Sequence, residues 1–398
     1  MTRYERIGRF VEERLEEYQA LAKDLHAHPE MSNYEFHACE VLSGQLRREG
    51  FEVHVDVAGH RTGFTGTYRS GKPGPVIVFL AEYDALAGMG HACGHNLFGP
   101  TSLLAGAALR QVIDEVGGEV RVYGTPGEEG GENGSAKGSF VREGFFRDVD
   151  AALCVHPGSD HHELTHEEIA CAPIQIEFWG KAAHASAAPH EGINALDAML
   201  QVYNATNALR QQLTSDVRIH GIIVNGGDAP NIIPAYTRAK FYLRAATVAR
   251  MMDVYHKMEN IVQGAALATG CTGKLEPTQR NLVENIIPTP SFDAVYRKNL
   301  ELLGEHFEDR PLAPLGSSDV GNVSQVVPTI QPMIAISDTP VAGHSEEKKA
   351  ACIAPKGLAS IGLGAKALAM TALDLIEDPA LLASIRAEHA ARVAAQRA

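Results

Sequence analysis

Cysteine is scarce and scattered in this chain. The six residues, Cys39, Cys93, Cys154, Cys171, Cys271 and Cys352, form no CxxC pair and no dense framework in 398 positions. That spacing argues against a disulfide-stapled secreted module and fits reduced thiols in a cytoplasm. Basic charge is also short. Thirty-five Lys and Arg stand against 49 Asp and Glu, a net −14, so no surface for nucleic acid or anionic membrane is expected. The opening stretch, "MTRYERIGRFVEERLEEYQALAKDL", carries charges throughout and lacks the apolar centre of a signal peptide. No stretch approaches the length needed to span a bilayer. Repeats and low-complexity segments are absent, apart from an Ala-rich C-terminal helix.

What is present is an ordinary globular composition, 45% hydrophobic and 21% charged. The length suits two domains, or one large domain carrying an insertion. Ile7, Phe10, Val11, Leu15, Tyr18, Leu21, Ala22 and Leu25 recur at helical spacing until Pro29 in "HPEMSNYE" breaks the pattern, and "FHACEVLSGQLRREG" reads as a second helix. Strands and helices then alternate. "PVIVFLAEYDAL" is a short apolar run suited to burial on both faces of a sheet, "TSLLAGAALRQVIDEV" is helical, "GEVRVYGTPGEEGG" is a strand opening into a glycine-rich loop, and "VDAALCVHPG" is a further strand. This βαβ alternation predicts an α/β domain with a mostly parallel central sheet.

The middle reads as strand, helix, strand, strand, helix, strand, from "IACAPIQIEFWG" to "CTGKLEP". That βαββαβ order predicts a ferredoxin-like α+β unit, and alternation in "YTRAKFYLRA" suits a sheet with one wet face. After about residue 285 the α/β style returns, with a helix over "FDAVYRKNLELLGEHF", a strand "TIQPMIAI" and a helix "LASIGLGAKALAMTALDLIED". The expectation is a discontinuous α/β catalytic domain, residues 1–168 and 285–398, interrupted by a lid or dimerisation domain at 169–284.

Open α/β sheets bind ligands beyond the carboxyl ends of their strands. Four separate strand ends offer donors there: Cys93 and His95 in a glycine-punctuated loop, the Glu128–Glu129 pair, His156, and His344. Each alone has an ordinary reading, as a buried thiol, a solvated acidic loop, a strand cap or a surface histidine. His91 reads as a bystander. Together, thiolate, imidazole and carboxylate form the donor set that zinc accepts. Two adjacent glutamates can divide labour, one binding metal and the other facing water as a base.

The ordered motifs "LHAHPEMSNYE", "AEYDALAGMGHACGHN", "GTPGEEGG", "DAALCVHPG", "GKAAHASAAPHEGINALDA", "GGDAPNIIP", "GSSDVGNVS" and "GHSEE" span nearly the whole chain. With them the chain resembles the aminoacylase and carboxypeptidase-G type of metallopeptidases. Within that family it is similar to the amidohydrolase branch of p-aminobenzoyl-glutamate hydrolase and the indole-acetyl amino acid hydrolases. The resemblance implies two divalent metal ions per subunit, with Cys93 bridging them and His95, Glu129, His156 and His344 completing the ligands. It implies Glu128 as general base, Asp84 as the orienter of a ligand histidine, His184 as a residue that polarises the substrate carbonyl in a partner subunit's site, and Asn231 and Arg244 as holders of the substrate's carboxylate end. Zinc is the first expectation for the metal, with manganese, cobalt or nickel able to take the same ligands.

The chain also departs from the pattern. Asn96 follows "CGH" where many relatives have Asp and then a further His. Glu82 stands where more distant peptidases of the family place a metal-binding His, so no ligand role is carried to it. Ser318 and Asp319 of "GSSDVGN" are left to shaping a loop.

The implied activity is a metal-dependent amidohydrolase that cleaves N-acyl amino acids, dipeptides or aryl-amide conjugates through a metal-bound hydroxide. The alternative is an aminohydrolase that deaminates an aromatic or heterocyclic amine with the same metals. A metal-free binding protein fits poorly with a donor set that is intact. The expected partners are a small-molecule amide and a second copy of the chain, joined through the inserted domain.

Overall fold

The computed structural model describes residues 1–131, 133–308 and 316–397. The chain divides into two compact units, residues 1–167 with 286–398, and residues 168–285.

The first unit opens with α1 (Arg3–Ala27). Thr2 and Glu5 cap it reciprocally, each side chain accepting from the other's backbone N–H. Its buried stripe of Ile7, Val11, Tyr18, Ala22 and Leu25 faces the core. Next come α2 (Phe36–Arg48), β1 (Glu52–Val57), β2 (His60–Arg69), β3 (Val76–Ala81), α3 (His95–Val116), β4 (Glu119–Gly124), α4 (Ala136–Arg142), β5 (Ala151–Leu153) and β6 (His156–Pro157). The second unit supplies β7 (Ala170–Trp179), α5 (Ala195–Leu209), β8 (Arg218–Asn225), β9 (Tyr236–Ala245), α6 (Val248–Thr269) and β10 (Thr272–Pro277). The first unit resumes with α7 (Pro290–Leu302), α8 (Val320–Ser324), β11 (Thr329–Ile330), β12 (Met333–Ile334), α9 (Glu346–Ala351), α10 (Pro355–Glu377) and α11 (Pro379–Arg397).

The main sheet has strand order β1-β2-β4-β3-β5-β11. Strands β4, β3, β5 and β11 run parallel, whereas β1 and β2 form an antiparallel flank. Along β3, Ile77 and Phe79 enter a core with α1, α3, α7 and α10, while Val78 and Leu80 enter a core with α4 and α8. That is the both-face burial expected of a continuous apolar run. The "TIQPMIAI" segment is not one strand but two short ones, because Pro332 between them offers no N–H to a ladder.

Helix α10 is long and apolar enough to cross a membrane by length and composition, against the expectation that no stretch approaches that length. Its apolar window is 78% buried inside the protein, and α10 packs on α3. A helix enclosed all round in a core has the same hydropathy as a membrane span.

In the second unit the antiparallel sheet order is β10-β7-β9-β8, with α5 and α6 packed on one face. Residues along β9 alternate between buried and accessible, as the one-wet-face reading of "YTRAKFYLRA" requires.

Candidate metal centre

The donors gather beyond the carboxyl ends of the parallel strands. Glu82 and Asp84 follow β3, Glu128 and Glu129 follow β4, and His156 opens β6 after β5. His95 corrects the loop reading, because it is the first residue of α3. Gly94 makes that sharp entry possible. It lies at φ 97°, and a Cβ there would come within 2.8 Å of Pro157.

Three groups of potential ligand atoms fall within metal-binding reach: Cys93, His95 and His156; Cys93, Glu129 and His344; and His95, Glu128 and Glu129. Cys93 belongs to two of them, so one thiolate can serve two ions. His91 joins none of these groups among the described residues. It is buried and stacks on His26 at 6.4 Å. Another group, Asp24, His28 and His37, is more accessible, and ion pairs from Asp24 to both histidines already account for its closeness.

Asp84 is the hub. Its carboxylate accepts from His95 Nδ1 at 2.9 Å, Ser32 Oγ at 2.7 Å and the Glu129 amide at 2.9 Å. With Nδ1 engaged, His95 presents Nε2 to the centre. Cys93 Sγ lies 3.5 Å from His156 Nε2, and His344 Nε2 lies 3.5 Å from Glu129 Oε1. His344 itself adopts φ 55° and stands directly before the Ser345 cap of α9.

Electrostatics favour cations here. Burial alone would raise the Cys93 thiol, but His95 and His156 beside it outweigh burial and hold it well below the ordinary thiol range. Burial would lower His95, yet Cys93 and Asp84 lift it well above its usual value. Burial, with Glu82, Glu129 and Asp319 nearby, pushes the Glu128 carboxyl well up. Hydrogen bonds to Cys93 and Glu129 raise His344 to about 10. The raised values of His95, Glu128 and His344 mark protons resting beside the Cys93 thiolate and the clustered carboxylates, and a divalent cation displaces such protons.

The buried atoms fit that reading. Oε2 of Glu82 and Nε2 of His95 are buried without a hydrogen bond among the described residues, although they lie 3.2 Å apart. Unpartnered polar atoms in an interior are rare and call for an unseen ion or water. The residues present therefore fit a metal pair.

Residue-by-residue reading missed what lies behind the ligands. Lys137 is wholly buried and ion-paired to Glu82 at 2.7 Å and Asp319 at 2.5 Å. Ser135 Oγ also donates to Asp319. Breaking a buried pair by removing one partner typically costs about 3–5 kcal/mol. Asp319 thus does more than shape its loop.

The remaining expected residues lie in the second unit. His184 pairs with Ile232 in an isolated bridge, and the Ala185 amide donates to the Asn231 carbonyl at 3.1 Å, which brings His184 and Asn231 together. A groove of about 420 Å³ runs beside them, lined in part by Ala185, Ala229, Pro230 and Ile232. Arg244 stands apart on β9, its guanidinium 5.4 Å from the Tyr242 ring.

Residues 172–269 match the family described as the M20 peptidase dimerisation domain. The human Xaa-Arg dipeptidase is 35% identical over 395 residues, covering 94% of this chain and 89% of the relative. The chain belongs to the M20 peptidase family. Another relative of this M20 chain, one of the p-aminobenzoyl-glutamate hydrolase subunits of Escherichia coli (strain K12), is 36% identical over 290 residues, covering 67% of this chain and 59% of its own. A solved Bacillus subtilis structure, a dinuclear metal binding peptidase from the M20 family, matches with TM-score 0.66 at 18% identity, over 91% of this chain and 98% of that one. For this M20 chain that likeness carries the fold, a discontinuous α/β unit with an inserted dimerisation domain.

Proposed function

We propose that this M20 chain is a dinuclear metal-dependent amidohydrolase that cleaves dipeptides or N-acyl amino acids. The observation that carries the reading is Cys93, shared by two ligand groups beside a partly buried glutamate pair. His95, Glu129, His156 and His344 complete the ligands, with zinc first among the metals and manganese, cobalt or nickel able to replace it. Bound divalent cations supply Lewis acidity toward the carbonyl and make water more acidic.

Glu128 takes a proton from the attacking water and hands it to the departing nitrogen, and its buried, acid-rich surroundings support that basicity. Asp84 keeps His95 in one tautomer and orientation. His184 polarises the substrate carbonyl and steadies the developing oxyanion. Asn231 and Arg244 hold the substrate's carboxylate end. The unit boundaries at 168 and 285 fit an inserted domain whose role is dimerisation, and His184 then serves the neighbouring subunit. Support for that interface comes from the family match and from edge strand β8, where Ile222, Ile223 and Val224 are exposed. All six cysteines are free, in keeping with a reducing cytoplasmic setting.

The test is a substrate screen with the metal-reconstituted protein. Dipeptides ending in arginine stand at its head because of the human relative, followed by N-acyl amino acids and p-aminobenzoyl-glutamate. Release of a carboxylate with an amine supports the proposal. Release of ammonia from an aromatic or heterocyclic amine, with no amide cleaved, would replace it with the aminohydrolase reading.

A further inference from the structure

Glu82 and Lys137 are both wholly buried, yet neither belongs to the ligand set above. A buried carboxylate normally ends up with its oxygens satisfied. Here Glu82 Oε1 lies 2.7 Å from the Lys137 ammonium, while Oε2 lies 3.2 Å from His95 Nε2. That nitrogen is the ring position left open by Asp84. Oε2 and Nε2 make no hydrogen bond although they lie 3.2 Å apart, close enough to meet one ion side by side. Lys137 cannot swing away, because Asp319 Oδ1 holds its Nζ at 2.5 Å and α4 begins one residue before it. Asp319 is itself fixed by Ser135, the residue that caps α4.

We propose that Lys137, anchored by Asp319, is a positioning residue that aims Glu82 Oε2 at the ion held by His95, making Glu82 a further anionic contact of the metal centre. This rests on the metal-dependent reading above. The geometry gives each member one task. Asp319 ties the chain after the insertion to α4, Lys137 neutralises and orients, and Glu82 contributes the oxygen turned toward His95. An unfixed glutamate would lose side-chain freedom on meeting a cation, whereas a clamped one has already lost it.

The experiment uses the full chain, stripped of metal and titrated with Zn²⁺ against a competing chelator, and separately loaded with Co²⁺ to record its visible absorption. Glu82→Gln keeps shape but removes charge. It is expected to weaken Zn²⁺ binding by at least about 10–100-fold, the loss that even an outer partner of a metal site causes, and to shift the Co²⁺ bands. Lys137→Met should do the same through loss of aim. Should Lys137→Met not fold, the charge-balanced Lys137→Met/Asp319→Asn variant, which keeps Glu82, takes its place and must show the same loss. Folded variants with wild-type Zn²⁺ affinity and unaltered Co²⁺ bands overturn the inference. A wild-type chain that binds neither ion overturns instead the metal-dependent reading beneath it.

Discussion

The Asn33 side-chain amide donates to the carbonyl of Gly130 at 3.1 Å, tying the segment between α1 and α2 to the loop that carries Glu128 and Glu129. Asn33 is buried at φ 67°, and its Oδ1 meets His60 Nδ1 at 2.8 Å. Gly tolerates that backbone conformation, so Asn33→Gly removes the amide without adding strain. Activity should fall about 10–100-fold, as for other outer partners of such sites, while the fold survives. Steady-state kinetics beside a melting curve check this, and an unchanged kcat/KM in a folded variant counts against it.

Chelation should abolish turnover, and a divalent metal should restore it. Elemental analysis must confirm metal loss in the stripped protein. Full turnover from metal-free protein would sink the mechanism.

The two glutamates should separate cleanly. Glu128→Gln should retain metal and fold but lose about 10²–10⁴-fold in rate, because the amide accepts no proton. Glu129→Gln should weaken metal binding instead. The reverse pattern, read from metal content and kcat, would reassign their roles.

Mixing two inactive proteins, His184→Ala and Glu128→Gln, should regenerate partial activity once subunits exchange. Mixed dimers then hold one site with both groups intact. Exchange verified by mass spectrometry without recovered activity would place His184 in its own subunit or outside the chemistry.

Stability should fall as pH rises from about 4 to 7. Burial pushes the Asp293 carboxyl from 3.8 up to about 7, against the opposing hydrogen bonds from Thr165. Below pH 4 both folded and unfolded chains hold that proton. Between 4 and 7 only the folded chain does, so stability is lost across that window and the loss is complete above the folded value. Asp293→Asn should flatten this part of the profile, on the order of a few kcal/mol. Melting temperatures across the range decide it, and parallel profiles for the two proteins would refute the assignment.

Much of the architecture was legible because periodicity is local. The βαββαβ run needed only alternation and helical spacing, and β3 announced its burial as an unbroken apolar stretch. The β1–β2 hairpin escaped notice because β1 is mostly accessible and its turn has Ala58 and Gly59 at positive φ without an Asn-Gly signal. The donors at the strand ends were visible one by one, since ligand chemistry restricts residue type. Lys137 was not. A lysine reads as solvent-facing, and the carboxylates that hold it inside, Glu82 and Asp319, lie far from it in sequence.

Strand β5 pairs on one side with β3 and on the other with β11, which the chain supplies only beyond the whole inserted unit. During synthesis the N-terminal segment therefore emerges with an open sheet edge and without α10, the helix that covers α3. The inserted unit has its own core and can close before that edge is filled. The order of manufacture thus places a finished domain between two halves of an unfinished one, and the catalytic unit depends on its C-terminal portion to shield it from aggregation.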